Sequence, residues 1–278
     1  GQYSSVRAAF SLVAALMVFF GFRTGFFTFQ EPVKIVFLIS GALFTVAAVI
    51  TAIMSGRVNI EIKTRKRRKL VFRKQYKYFY FLTVLKGVQK QIAYVYGTWI
   101  IVDLLMKRAD TIALLTIAFT FVSIFFLNKL GHWMDRYGIK SMMYFDALTF
   151  IIVYLVYGGM VWGIESGTLQ NQGWAVWTIY LLYIADRLSM QIGMVNSIYL
   201  RSIAVDKEEI TSTLSMGVSL DHIISIIAAM IGGFIWTKWG SHWVFFLAAL
   251  FSVGNLYIAA KVQPEEEAAA AELLRSKE

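Results

Sequence analysis

An all-α polytopic membrane bundle is the fold class this sequence predicts, on three observations. The chain is 58% hydrophobic with a mean hydropathy of +0.61. It carries 16% charged residues, where a soluble domain of similar size holds about 25%. Its apolar residues fall in long stretches bounded by short charged turns, and a helix needs roughly 20 apolar residues to cross a hydrocarbon core about 30 Å thick.

About eight spans follow in order. They cover residues 6–29, 33–54, 78–105, 112–127, 142–162, 174–195, 214–236 and 243–260. The first two are almost free of charge. The third carries Lys86, Gln89, Lys90 and Gln91 in its middle, and the fourth reaches spanning length once Thr111 and Asn128 join its ends. The sixth holds Asp186 and Arg187 within its second half, and the seventh holds Asp221 and His222 about two turns in. The tail that opens Pro264-Glu265-Glu266-Glu267 reads as a short solvated helix or a disordered end.

Lys and Arg collect in short loops on the cytoplasmic side of membrane proteins. Residues 57–77 contain Arg65-Lys66-Arg67-Arg68-Lys69 and Arg73-Lys74, so this loop is placed inside. Alternation puts residues 129–140 and 201–207 inside too, with both ends of the chain, and the turns at Gln30, 107–110, 163–173 and Lys238 outside. Trp162, Trp174, Trp236, Trp239 and Trp243 then gather at the outer interface as an aromatic belt. The expected location is the cytoplasmic membrane, crossed several times.

Composition excludes several function classes. With no cysteine there is no disulfide framework and no thiolate chemistry. His132, His222 and His242 are too scattered for a metal set, and no Gly-x-x-x-x-Gly-Lys-Ser/Thr run offers a nucleotide cradle. No cofactor, metal or enzymatic activity is expected. The basic run beside Tyr76, Tyr78 and Tyr80 imitates a nucleic-acid platform, but juxtamembrane bases ordinarily meet anionic lipid. Membrane lipid, not nucleic acid, is the expected partner, and most of the +10 net charge arises there.

Between the fourth and fifth spans lies Gly131-His-Trp-Met-Asp135-Arg136-Tyr-Gly138-Ile139-Lys140. Two glycines for tight backbone, with an acid followed by bases, suit a short turn pressed against a bilayer. This hairpin resembles the signature loop of the major facilitator superfamily: glycine, three residues, aspartate, a base, one residue, glycine, two bases. Ile139 stands where one base is usual. Residues 183–187 and 215–222, running on to Gly232-Gly233, are similar to the tenth and eleventh helices of bacterial members.

The resemblance implies an architecture of two six-helix halves. Residues 1–56 would be the last two helices of the first half, 57–77 the cytoplasmic linker, 78–262 a complete second half and 263–278 a tail. The chain starts at Gly1 without a signal peptide and is read as a fragment. The helices missing from the first half, about 120 residues at roughly 30 per span and turn, would be its partner. The activity implied is secondary active transport of a small solute by alternating access, coupled to protons. A sensor or scaffold that kept the fold without transporting is the alternative. In the family the loop acid and bases lock one face of the transporter, so Gly131, Asp135, Arg136, Gly138 and Lys140 are assigned to gating, with Asp146 expected to interact with this hairpin.

Charges inside spans cost on the order of 2.5–3.5 kcal/mol at mid-helix, which marks each as a site candidate. Lys86, Lys90 and Tyr94 recur every four residues and share one stripe, flanked by Gln89. Either they form a cationic cavity wall for an anionic or zwitterionic solute, or the lysines snorkel to an interface. Asp186 and Asp221 are candidates for proton uptake, with His222 as relay; the other reading is fixed ion pairing with Lys90 or Arg187. Intramembrane glycines read as packing residues, and Asn196 as a cap or cavity edge.

Overall fold

A computed structural model describes residues 2–25, 32–57 and 73–275. The basic run 65–69 and the turn at Gln30 lie outside the described residues. All the regular structure among the described residues is helical, as a bilayer demands of segments that must pair every backbone group internally.

Two helices, α1 (Gln2–Arg23) and α2 (Pro32–Arg57), come first. A 3₁₀ turn at Lys74–Tyr76 leads into a rod over 77–104, α3, which is α-helical at Lys77–Gln91 and Gly97–Trp99 but π-helical at Ile92–Tyr96 and Ile100–Leu104. The segment Ala109–Glu165 is helical throughout except at Gly138 (φ 76°, ψ 168°), which divides it into α4 (109–137) and α5 (139–165). Then come α6 (Trp174–Ile192), α7 (Met194–Ile203), α8 (Lys207–Trp239), α9 (Ser241–Lys261) and α10 (Pro264–Arg275).

Within the described residues each predicted span falls largely on helix; the first is helical to Arg23, its residues 26–29 lying outside the described residues, and three further differences concern ends. The helix of the fourth span runs on to Tyr137, because Leu130, Trp133 and Met134 recur at helical spacing and pack into the core, Leu130 completely. The sixth span is interrupted at Gly193, where α6 ends and α7 begins. The tail is an ordered helix starting on Pro264, suited to a first helical position. It packs on α7, where Tyr199 donates a hydrogen bond to Glu267. Ala109–Glu165, Glu209–Trp239 and Ser241–Lys261 contain the described segments most plainly long and apolar enough to cross a membrane. Hydropathy alone under-reads α3 and α6, whose mid-helix charges Lys86, Lys90, Asp186 and Arg187 are drawn into the bundle.

The segment 109–165 packs against α9 and α6 and also receives α1, while α3 packs on α8 and α9. Residues 41–54 of α2 are exposed throughout. The core among the described residues comprises two large clusters and a small one of Ile101, Leu115 and Tyr183. Toward the Tyr76 end lies a cluster with Phe79, Leu82, Met142, Ile192, Val195 and Ile258. Toward the other end lies a cluster with Ile92, Phe150, Tyr157, Ile179, Phe245 and Ala249. On every helix that contributes to both, polar residues stand between the two large clusters: Lys86 and Gln89 on α3, Asp146 on α5, Asp186 on α6, Ser252 and Asn255 on α9.

Candidate functional site

This polar layer is the candidate site. It sits between two apolar clusters because those clusters fix the helices above and below it, leaving the polar side chains nowhere to turn but toward one another. Asp146, Asp186, Gln89, Ser252 and Asn255 are all buried.

One ion pair ties the layer across α3 and α8. Lys90 Nζ contacts Asp221 Oδ2, with 24% and 18% of the two side chains exposed. The pair stands one turn from a close approach of the two helices. A Cβ on Gly87 would lie 2.9 Å from the Asp221 carbonyl oxygen, so only glycine permits this approach. Ser225 reinforces the contact, lying 2.7 Å from the Asp221 carbonyl of its own helix and 3.0 Å from the Gly87 carbonyl of α3, with both as acceptors for its hydroxyl.

Lys86, one turn earlier, faces a different set of helices. It lines a tight pocket with Gln89, Asp146 of α5, Gly193 at the α6–α7 break, Asn196 of α7 and Asn255 of α9. Its Nζ would be 3.2 Å from a Cβ at Gly193, and Asp146, Asp221 and Lys90 are all within its electrostatic reach. Gln89, in the same lining, donates to Ser252 Oγ at 3.1 Å.

Arg187 is clamped by aromatic rings. Its guanidinium lies 4.3 Å from the Tyr183 ring centroid and 4.9 Å from that of Tyr94, a cation–π arrangement, and it donates to Tyr183 Oη and Thr98 Oγ1. Asp186, on a neighbouring face of α6, is 1% exposed beside the Tyr154 hydroxyl. That hydroxyl also lies 3.3 Å from the Gln89 carbonyl.

The stripe Lys86, Lys90, Tyr94 thus serves three helices rather than one wall. The π-turn at Ile92–Tyr96 resets the register after Lys90 and aims Tyr94 at Arg187; such π-bulges recur at functional sites. Of the pairings open to Lys90, the structure uses Asp221 and not Asp186. His222 is exposed and stands outside the cluster.

The hairpin does not join this layer. Asp135 and Arg136 are exposed and Lys140 partly so, and none makes an ion pair among the described residues. Arg136 instead stacks 5.5 Å from the Tyr137 ring. Only Gly138 takes the tight backbone expected of both glycines; Gly131 is helical. Asp146, expected to interact with the hairpin, lines the Lys86 pocket instead, because two helical turns beyond Gly138 carry it into the layer. Asn255 and Ser252, which sequence reasoning did not single out, belong to the site; their three-residue spacing in an otherwise apolar span is the signal that marks them.

Polar clamps close both ends of the bundle. At one, Glu165 accepts from the Ser241 N–H at 3.0 Å, from Ser241 Oγ and from His242. Partial burial raises its pKa, but the hydrogen bonds from Ser241 and His242 outweigh this and hold the carboxyl below its ordinary value. At the other end, Tyr76 donates to Glu209 at 2.7 Å and accepts the Val205 N–H at 3.2 Å, while Arg73 donates to the same Glu209 at 2.8 and 3.0 Å. Burial, aided by Glu209, pushes the Tyr76 phenol up to about 12.

A comparison with curated proteins found no match. A family model, that of the Major Facilitator Superfamily, matches residues 79–278, which takes in every helix from α3 onward and the whole polar layer. A helical membrane bundle, a charged layer in its interior and this match agree: the chain belongs to the Major Facilitator Superfamily of membrane transporters.

Proposed function

We propose that the chain is part of a secondary active transporter that moves a small solute across the cytoplasmic membrane by alternating access, coupled to protons. The observation that carries this reading is the Lys90–Asp221 pair, placed in the polar layer where α3 meets α8. A carboxylate that is wetted in one state and desolvated in the other changes its proton affinity. Protonating Asp221 would cancel its attraction for Lys90 and loosen α8 from α3, giving a proton a mechanical consequence. Asp186, buried beside Tyr154, is the second acid available to such a cycle.

Lys86, Lys90 and the Tyr94–Arg187 stack give the layer a cationic and aromatic character, which favours an anionic or zwitterionic solute. Residues 78–262 then form one six-helix bundle, with the basic segment before it as the cytoplasmic linker and both ends of the chain inside. The exposed hairpin charges Asp135, Arg136 and Lys140 are assigned to gating.

Proteoliposomes with an imposed proton gradient, loaded with a pH-sensitive dye and offered a panel of organic anions and zwitterions, test the reading. Solute-dependent proton movement in wild type, lost or uncoupled from solute in Lys90→Ala and Asp186→Asn at unchanged expression, is the expected result. Normal pH-dependent flux in both variants would sink the site assignment. Absence of flux, with partner capture from membranes altered by the same substitutions, would favour a sensor or scaffold.

A further inference from the structure

Three side-chain oxygens, each from a different helix, line one closed pocket without a hydrogen-bond donor: Asp146 Oδ1 from α5, Asn196 Oδ1 from α7 and Asn255 Oδ1 from α9. The three residues are 5%, 7% and 4% exposed. Native proteins pair nearly all buried polar atoms, so three orphaned acceptors around one pocket point to an occupant that offers positive charge to oxygen. Lys86 lines the same pocket, yet its ammonium makes no ion pair within 4.0 Å among the described residues. It rests over Gly193 on a flexible four-carbon stem.

We infer that Asp146, Asn196 and Asn255 form a binding site for a small monovalent metal cation of the Na⁺ type, in competition with the Lys86 ammonium. The chemistry selects that class. One carboxylate and two amide carbonyls are hard oxygen ligands, which suit alkali and alkaline-earth ions over softer metals. A single carboxylate beside a lysine balances one positive charge, not two, and the pocket is too tight for a large hydrated ion. Lys90 is committed to Asp221, which leaves Asp146 and Lys86 as the pocket's own acid and base. Over Gly193, which lines the same pocket, the ammonium leaves no room for another occupant; withdrawn along its flexible stem, it frees the volume that takes the metal ion. This site is separate from the Lys90–Asp221 pair and does not depend on the proposed coupling to protons.

The test is thermal unfolding of the purified chain in detergent, followed by tryptophan fluorescence, in NaCl against choline chloride at constant ionic strength. Na⁺ is expected to raise the melting temperature saturably. Lys86→Met, which removes the tethered competitor, is expected to tighten the apparent Na⁺ Kd by about tenfold if the ammonium fills the site nine-tenths of the time. Asp146→Asn is expected to abolish the response in both backgrounds. A response confined to Lys86→Met supports the site, with the lysine as its resident occupant. Identical NaCl and choline curves in wild type and Lys86→Met, or a Na⁺ response that survives Asp146→Asn, overturns the inference; the amides then turn over and donate to Asp146 themselves. Should Lys86→Met not fold, Asn255→Asp keeps the volume and adds a second carboxylate. Tighter Na⁺ binding in that variant supports the site, and an unchanged response overturns it. Because binding is read without flux, failure here leaves the transport reading standing, and the reverse also holds.

Discussion

Lys90 on α3 and Asp221 on α8 are ion-paired where Gly87 lets the two helices come into backbone contact. Removing one member of a well-buried pair costs about 3–5 kcal/mol because the other is left charged and alone. With 24% and 18% of the side chains exposed, about 1–3 kcal/mol is the expectation after screening. Lys90→Ala and Asp221→Asn should each lower the melting temperature in detergent. The double variant should melt above the sum of the two losses, since neither charge is stranded. A coupling energy near zero in that cycle would show that the contact contributes nothing to stability.

The same junction makes Gly87 intolerant of any side chain. A Cβ there would meet the Asp221 carbonyl at 2.9 Å and the Ile224 Cβ at 3.1 Å, and neither atom is the free end of a flexible group. Gly87→Ala should cost about 1–3 kcal/mol of overpacking, although alanine is the better helix former. A variant as stable as wild type would mean that α3 and α8 part more easily than their packing suggests.

Glu165 gives a pH dependence with a definite sign. Its carboxyl is held below the ordinary value of 4.5 in the folded protein by Ser241 and His242, despite partial burial. A depressed acid stabilises the fold fully above its unfolded pKa, and that contribution is lost as pH falls through the folded pKa. The melting temperature of wild type should therefore exceed that of Glu165→Gln at neutral pH, and the two should converge on acidification below the ordinary carboxylate range. A gap that stays constant down through that range would assign the Glu165 contribution to packing rather than charge.

Much of the fold was legible because a bilayer leaves few solutions: long apolar runs become helices, and Asp186, Arg187 and Asp221 inside such runs must find polar company. The partners were not legible. Lys90 had two acids within sequence-level reach, and only the rotation of α6 and α8 about their axes decides between Asp221 and Asp186. Tyr94 was placed on the lysine stripe by assuming 3.6 residues per turn throughout, an assumption that the π-turn at Ile92–Tyr96 breaks. Asp146 sits near the hairpin in sequence, yet two turns of helix separate it from Gly138 and bring it level with Lys86. Asn255 is one amide in an apolar span as the sequence stands; its meaning comes from Asn196 and Asp146, which line the same pocket only in three dimensions.

Gly131 and Gly138 of the hairpin look equivalent in the sequence and should respond oppositely to alanine. Gly138 has φ +76° and ψ 168°, a region essentially closed to residues with a side chain. Nothing lies within 4 Å of a Cβ added at either position, so the backbone alone decides. Gly138→Ala should cost about 1–3 kcal/mol of strain, or force the turn between α4 and α5 into another shape. Gly131 is in regular helix, where alanine is favoured over glycine by up to about 1 kcal/mol, so Gly131→Ala should leave the protein equally or more stable. Melting curves of the two variants side by side decide the matter. Equal losses would mean that Gly131 also needs its freedom, in a conformation of the hairpin other than this one, whereas opposite signs would place the turn's whole backbone demand on Gly138.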